Sequence, residues 1–292
     1  EQWLRTELGR LLQQGFTPSP APVALEQIQL APSKLKPETQ NALRAACGDN
    51  GVSTSSLERV THGLGRSLPD LLRLRRGDVP HAPDAVVYPA SEGAVASVLR
   101  IAADANLAVI PFGGGSSVVG GVEALTLRGQ AGALCLDTTR LDALVRIDRE
   151  SLTATFQAGI DGPALEAALR PHGLTLGHFP QSFEFSTLGG WIATRSSGQS
   201  SSGYGAIEDM LVSVRVMTPE GVIRTLSVPR SAAGPDLNGL VLGSEGTLGV
   251  IVEATLRVHD APAVFEDRGM LFRSFADGVA KQIEGCVPLA GP

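Results

Sequence analysis

Apolar and polar positions follow two different periods along this chain, and the change falls near Gly77. Before it the spacing is helical. Trp3, Leu4, Leu8, Leu11 and Leu12 share one face and predict a helix over residues 1–14. Pro18, Pro20 and Pro22 break that pattern and predict an extended linker over 17–22. Residues 37–47 predict a second helix with Pro37 in its first turn. Leu68, Leu71, Leu72 and Leu74 close a polar stretch that begins at Ser55, and they predict a third helix from Leu68 onward. Its end carries Arg73, Arg75 and Arg76. Such a basic terminus either complements the helix dipole or holds a phosphate.

After Gly77 strands and helices alternate. Residues 85–88 predict a strand stopped by Pro89, and Ser91 predicts the N-cap of a helix that buries Val95, Val98, Leu99 and Ala102. Residues 107–110 are an unbroken apolar run, the pattern of a buried parallel strand, and 133–136 predict another strand. Residues 144–147 and 153–158 predict a hairpin. Asp161 predicts a cap for a helix with Pro163 in its first turn, and Gly173 predicts its stop. A second hairpin is predicted over 212–218 and 222–226, turning at Pro219-Glu220-Gly221, and a last strand over 249–258. Beyond Pro262, residues 270–272 predict a strand and 275–283 a helix, and the chain stops at Pro292 before that unit closes a core. The predicted organisation is α+β: a helical N-terminal segment over 1–77, a domain of two α/β subdomains over 78–260, and the start of a cap domain over 261–292.

Composition narrows the function classes. The 292 residues carry a net charge of −6 and only 4% aromatic residues, which argues against a nucleic-acid face or base-stacking platforms. Cys47, Cys135 and Cys286 are far apart and read as reduced thiols of a cytoplasmic protein. The five histidines form no metal motif, and no apolar run has the length of a membrane span.

The chemistry concentrates in glycine. Pro111, Phe112, Gly113, Gly114, Gly115, Ser116 and Ser117 follow the apolar run at 107–110. Without Cβ atoms, successive N–H groups in such a turn can face one concave space and hold an anion. Taken alone, the run is equally a flexible turn. Three further stretches join it. They are residues 181–190, with Gln181, Ser182, Ser186, Thr187 and Gly190; then Thr194, Arg195, Ser196 and Ser197; then Glu245, Gly246, Thr247, Leu248, Gly249, Val250 and Ile251. Each combines hydroxyls or bare backbone, and none offers a metal triad or a nucleophile–base pair. A long, polar-tailed cofactor needs such contacts along its length. The Gly-x-Gly-x-x-Gly signature at a strand–helix junction is missing, which disfavours a Rossmann site.

These residues resemble the FAD-binding domain of the vanillyl-alcohol oxidase/p-cresol methylhydroxylase (PCMH-type) flavoprotein superfamily. Residues 183–195, 205–209, 234–236 and 242–251 are most similar to its alkyldihydroxyacetonephosphate synthase branch. The likeness runs from about 62 to about 260. It implies that 111–117 wrap the FAD diphosphate, that 181–187 and 194–197 line the flavin and ribityl chain, and that 245–251 hold the adenine–ribityl side. Some relatives tether FAD through a histidine in the first glycine loop; here that place reads Gly115-Ser116-Ser117, which implies non-covalent FAD. Gln181 stands where the synthase pattern has an aspartate. The catalytic residues of the branch lie in parts without a counterpart before Pro292, so none is assigned.

The implied reaction is exchange of the acyl group of acyl-dihydroxyacetone phosphate for a fatty alcohol. The alternatives are a 2-hydroxy-acid dehydrogenase or oxidase of the D-lactate or glycolate type, and a non-catalytic flavin-binding module. The expected partners are a small-molecule or lipid-like substrate, a second copy in a homodimer, and a membrane surface touched peripherally. Among single side chains, His178 reads as structural before flavin-facing, Arg195 as a cofactor contact before a brace, Glu245 as a backbone-positioning carboxylate, Glu184 as a base or a loop anchor, and Trp191 and Tyr204 as packing.

Overall fold

An apolar run with no polar face must be covered on both sides, and the fold does this with a parallel sheet. In a computed structural model of the chain, strands β1 (Val52–Ser53), β2 (Ala85–Val87), β3 (Leu107–Phe112) and β4 (Gly132–Asp137) form one sheet in the order β1-β2-β4-β3. β2, β4 and β3 run parallel, and β1 joins the edge antiparallel. Every residue of β2 and β4 is buried. The structure describes Trp3, Thr6, Arg10 and residues 21–228, 232–264 and 269–286. The helix predicted over 1–14 and most of the linker after it lie outside the described residues.

Helices α1 (Pro37–Cys47), α2 (Ser56–Thr61) and α3 (Leu68–Arg76) precede β2. The first and third match the predicted spans. The second was hidden in the polar stretch, because six residues show too little of a 3.6-residue period, and the edge strand β1 just before that stretch is too short to show an alternation. Ser55 caps α2 through Glu58 N–H at 3.3 Å. Helix α4 (Glu92–Asp104) starts at the Ser91 cap and buries Val95, Val98, Leu99 and Ala102, the predicted face. Leu43 of α1 packs into the same core.

The second subdomain is an antiparallel sheet. β5 (Leu144–Asp148) and β6 (Thr153–Gln157) form the first hairpin. Helix α5 (Gly162–Leu169) begins at Asp161, whose carboxylate takes Ala164 N–H at 2.8 Å. After β7 (Leu174–Thr175) come α6 (Leu188–Thr194) and two single-turn helices, α7 (Ser201–Tyr204) and α8 (Ile207–Met210). β8 (Leu211–Thr218), β9 (Gly221–Arg224), α9 (Leu237–Val241) and β10 (Val250–Arg257) follow. The sheet order is β5-β6-β10-β8-β9. Phe156, Leu165, Leu188, Trp191, Val214 and Ile251 share one core beneath it. Met217, Val250 and Val252 pack instead with Leu134 and Leu136 of the first sheet, which joins the two subdomains.

The chain divides into two compact units, residues 1–259 and 260–292. In the second, α10 (Phe275–Cys286) covers the predicted helix, but 270–272 is not a strand. A strand needs a neighbour for its N–H and C=O groups. Among the described residues none pairs with 270–272.

Candidate functional site

Parallel strands end where their loops can meet a ligand, at the carboxyl edge of the sheet. Phe112 and Asp137 are register partners at the ends of β3 and β4. The loop after β3, Thr138 after β4, the segment into α6 and the turn before β10 surround a cavity of about 310 Å³. Of the residues singled out in the sequence, Pro111 to Ser117 line it without a gap. Ser182, Ser186, Thr187, Gly190, Thr194 and Ser196 form a second wall, and Glu245, Gly246, Gly249, Val250 and Ile251 a third. The first and third walls touch: a Cβ on Gly246 would lie 3.0 Å from Pro111 Cγ.

The glycines work differently from the first expectation. A Cβ on Gly114 would lie 1.7 Å from Phe185 O, and one on Gly113 would lie 2.2 Å from Thr187 Oγ1. These two are bare so that the 182–187 turn can press against the loop, which fixes the cavity's shape. Gly190 is open on its cavity side, with only Thr187 Oγ1 at 3.4 Å from a Cβ.

The second wall is held from behind. Thr187 caps α6, taking Gly190 N–H at 3.3 Å. Gly189 N–H donates to Ala158 O at 2.7 Å and ties the start of α6 to the end of β6. Trp191 Nε1 donates to Ser186 Oγ at 2.7 Å, and Ser186 donates in turn to Ser182 O at 2.8 Å. The third wall hangs on the other end of α6 through Gly243 N–H to Ile192 O at 3.0 Å and Glu245 N–H to Ala193 O at 2.9 Å. Helix α6 is thus the common mount of two walls.

Five predicted residues stand outside the cavity wall: Gln181, Arg195, Ser197, Thr247 and Leu248. Arg195 takes a left-handed conformation at the end of α6, with φ 54°, and its guanidinium turns to Glu208 at 2.9 Å. It is a brace, against the cofactor contact expected of it. Thr247 folds its hydroxyl back to Ser244 O at 2.6 Å. Gln181 and Ser197 are exposed ends of their loops, and Leu248 is turned outward. Sequence reasoning missed Val118, Val119, Gly121, Val122, Thr138, Gly189, Trp191 and Ala193 as lining residues. Thr138 carried a usable signal, since it directly follows a parallel strand. Trp191 is both core, at 2% exposure, and wall. Arg73, a suggested phosphate holder, pairs with Glu123 at 2.7 Å.

The electrostatics suit a main-chain grip. Among the described lining residues there is no Lys or Arg, and Glu245 is the one acid. Burial raises the Glu245 pKa. His178 lies behind Trp191 and Ser196, its Nε2 3.2 Å from Ser196 Oγ. It is 1% exposed, and burial lowers its pKa to about 4, so it is neutral at pH 7. Among the described residues none accepts from the main-chain N–H groups of Gly113, Gly114, Gly115, Ser116 or Ser117, and Ser117 Oγ is buried without a partner. A buried hydroxyl left unpaired is costly. A ligand rich in oxygen atoms fits this wall, as a dinucleotide diphosphate does.

Residues 83–227 match the family described as FAD binding domain. These residues are a FAD-binding domain. The flavoprotein chain is 43% identical over 256 residues to alkyldihydroxyacetonephosphate synthase of Dictyostelium discoideum, covering 88% of this chain and 42% of that one. It is 31% identical over 258 residues to a probable mitochondrial D-lactate dehydrogenase of Danio rerio, covering 86% of this chain and 49% of that one. A solved structure of alkyldihydroxyacetonephosphate synthase superposes with a TM-score of 0.84 at 41% identity, covering 91% of this chain and 50% of that chain. The fold is therefore the PCMH-type FAD-binding fold expected from the motifs. The flavoprotein chain spans about half the length of the relatives it matches.

Proposed function

We propose that this chain is the FAD-binding part of an enzyme of the alkyldihydroxyacetonephosphate synthase kind. The reaction converts acyl-dihydroxyacetone phosphate and a fatty alcohol into alkyl-dihydroxyacetone phosphate and a fatty acid, with no net oxidation. The observation that carries this reading is the degree of likeness: 43% identity to a synthase against 31% to a D-lactate dehydrogenase, over nearly the same share of the chain.

Bound FAD would supply the reactive ring that no side chain of this wall offers. The chain's own residues would bind and orient it. The N–H groups of 113–117 and the Ser117 hydroxyl would take the diphosphate, with Thr138 beside them. Ser186, Thr187 and Ser196 would meet the polyol chain. Val250, Ile251 and Trp191 would exclude water from the apolar side. The hold would be non-covalent, since Gly115, Ser116 and Ser117 stand in the loop where some relatives carry a tethering histidine.

The match to the D-lactate dehydrogenase supports one second reading, oxidation of a 2-hydroxy acid on the same scaffold. Anaerobic addition of D-lactate or glycolate to the full-length holoenzyme separates the two. The synthase reading expects an unchanged flavin spectrum and formation of alkyl ether from acyl-dihydroxyacetone phosphate and hexadecanol. Bleaching of the flavin without ether product overturns it.

Among the described residues no helix is long and apolar enough to cross a membrane. With a lipid-like substrate, the whole protein would work in the cytoplasm against a membrane surface, as a homodimer. Vesicle co-sedimentation and light scattering test these two points.

A further inference from the structure

The turn after α2 touches both ends of the bare-backbone loop. His62 closes α2 and is buried. Its Nδ1 lies 2.8 Å from Glu58 O, and its Nε2 lies 3.0 Å from Asp137 Oδ2. A main-chain carbonyl only accepts, and so does an ionised carboxylate. Against a carboxylate that has lost its proton, this geometry is that of an imidazolium, with a hydrogen on each ring nitrogen. The ring packs against Phe112 in a tilted arrangement, with centroids 4.5 Å apart and planes at 45°. Phe112 ends β3 and lines the cavity, and its carbonyl takes the N–H of Thr138 at 2.9 Å and the Thr138 hydroxyl at 3.2 Å. Four residues after His62, Arg66 N–H donates to Ser117 O at 2.7 Å. A Cβ on Gly65 would lie 2.3 Å from that same oxygen. One short segment thus grips the loop at 112 and again at 117.

The groups facing His62 come from three elements. Its own helix presents Glu58, with Oε2 3.6 Å from Nδ1, and the Thr61 hydroxyl at 3.2 Å. The end of β2 presents Tyr88, edge-on to the imidazole, its hydroxyl donating to Glu58 Oε2 in a short bond. Arg140 lies 5.2 Å over the Tyr88 ring. The end of β4 presents Asp137, whose other oxygen takes the Thr139 N–H at 2.8 Å and hydroxyl at 2.5 Å. The His62 ring thus lies between two carboxylates, the buried Asp137 and the half-buried Glu58, with Arg140 on the far side of Tyr88. Removing the proton from His62 would leave Asp137 or the Glu58 carbonyl facing a ring lone pair.

We propose that the His62 imidazolium, paired with Asp137, is the positioning group of the 112–117 loop, so that affinity for FAD falls when this ring loses its proton. The proposal rests on the reading of 113–117 as the diphosphate loop. Burial alone pulls the His62 pKa down, but the hydrogen bonds to Asp137 and Glu58 and their charges outweigh it and leave it raised. The sign follows. A raised histidine contributes fully below its ordinary value of 6.5, and the contribution is lost as pH rises through the higher folded value.

The test is FAD affinity of the full chain, by flavin fluorescence, from about pH 6 to about pH 9, with the apoprotein melting temperature measured at each pH. Wild type should weaken by about tenfold or more in a single-proton step above pH 6.5, the scale of one charge-assisted hydrogen bond. The His62 ring signal in wild-type NMR should titrate with that step. His62→Gln should start weak and show no step, and Asp137→Asn should move the step down. A flat wild-type profile, a step that survives in H62Q, or a ring that titrates elsewhere overturns the proposal. If H62Q does not fold, the wild-type step and ring signal decide alone. Gly114→Ala separates the two readings. If it leaves FAD affinity untouched, the diphosphate assignment fails. If it abolishes binding while wild type is flat with pH, only the His62 proposal fails.

Discussion

Gly114→Ala adds one methyl group at a place where two walls of the cavity meet. Its Cβ would lie 1.7 Å from Phe185 O, 2.6 Å from Phe185 C and 2.9 Å from Ser186 Cα. All three are main-chain atoms, so no rotamer change relieves the clash. Restoring a contact of about 3.2 Å requires the 112–117 loop and the 182–187 turn to part by roughly 1.5 Å. Forced separations of this kind cost about 1–3 kcal/mol of stability. The effect on the ligand is larger. An N–H···O bond of about 2.9 Å opened by that amount is no longer a bond. Losing two of the five main-chain donors to an anion costs about 3 kcal/mol or more, which is over a hundredfold in affinity. Gly190→Ala is the control. Its Cβ meets only Thr187 Oγ1, at 3.4 Å, inside α6. Alanine favours a helix by about 0.5–1 kcal/mol over glycine, so this apoprotein should melt no lower than wild type. Its methyl nevertheless stands at the cavity wall and should weaken FAD by about tenfold. Titration calorimetry with FAD and melting of the apoproteins read both quantities. A Gly114→Ala protein that binds FAD within about twofold of wild type would refute the argument that this contact shapes the site.

Three further outcomes are expected. Arg195→Ala should leave FAD affinity unchanged and cost less than about 1 kcal/mol, because its half-exposed guanidinium pairs with Glu208 and not with the cavity; a large loss in a binding titration would restore it to the site. Asp84→Ala should destabilise by about 2–4 kcal/mol in urea unfolding, since the buried carboxylate takes Lys34 N–H at 2.7 Å and Ala133 N–H at 2.9 Å, and a wild-type midpoint would contradict that. His178, neutral in the fold with a pKa of about 4 against 6.5, should make stability fall as pH drops from 6.5 toward 4, where only the unfolded chain takes the proton. His178→Asn should flatten that part of the stability–pH curve, and an unaltered slope would count against a buried neutral ring.

Much of this molecule was legible one residue type at a time. The caps at Ser91 and Asp161, the buried face of α4, the apolar run 133–136 of β4 and both hairpins follow from local periodicity and turn chemistry, which a linear chain displays directly. The three glycine-rich walls were legible too, because bare backbone beside hydroxyls is itself a chemical signature. What the chain could not display is which atoms those glycines make room for. Gly113 and Gly114 admit another loop of the protein, about 70 residues away in sequence, and not the ligand itself. The short helix α2 was invisible, and with it the pairing of His62 to Asp137 at a separation of 75 residues. Arg195 looked like a cofactor contact until Glu208 was found beside it. The sequence determined the elements and the kind of ligand they suit, because both depend on neighbours along the chain. The tertiary structure decided which side chains meet the cavity and which only brace it, because that depends on long-range contacts that form only when the two sheets share a core.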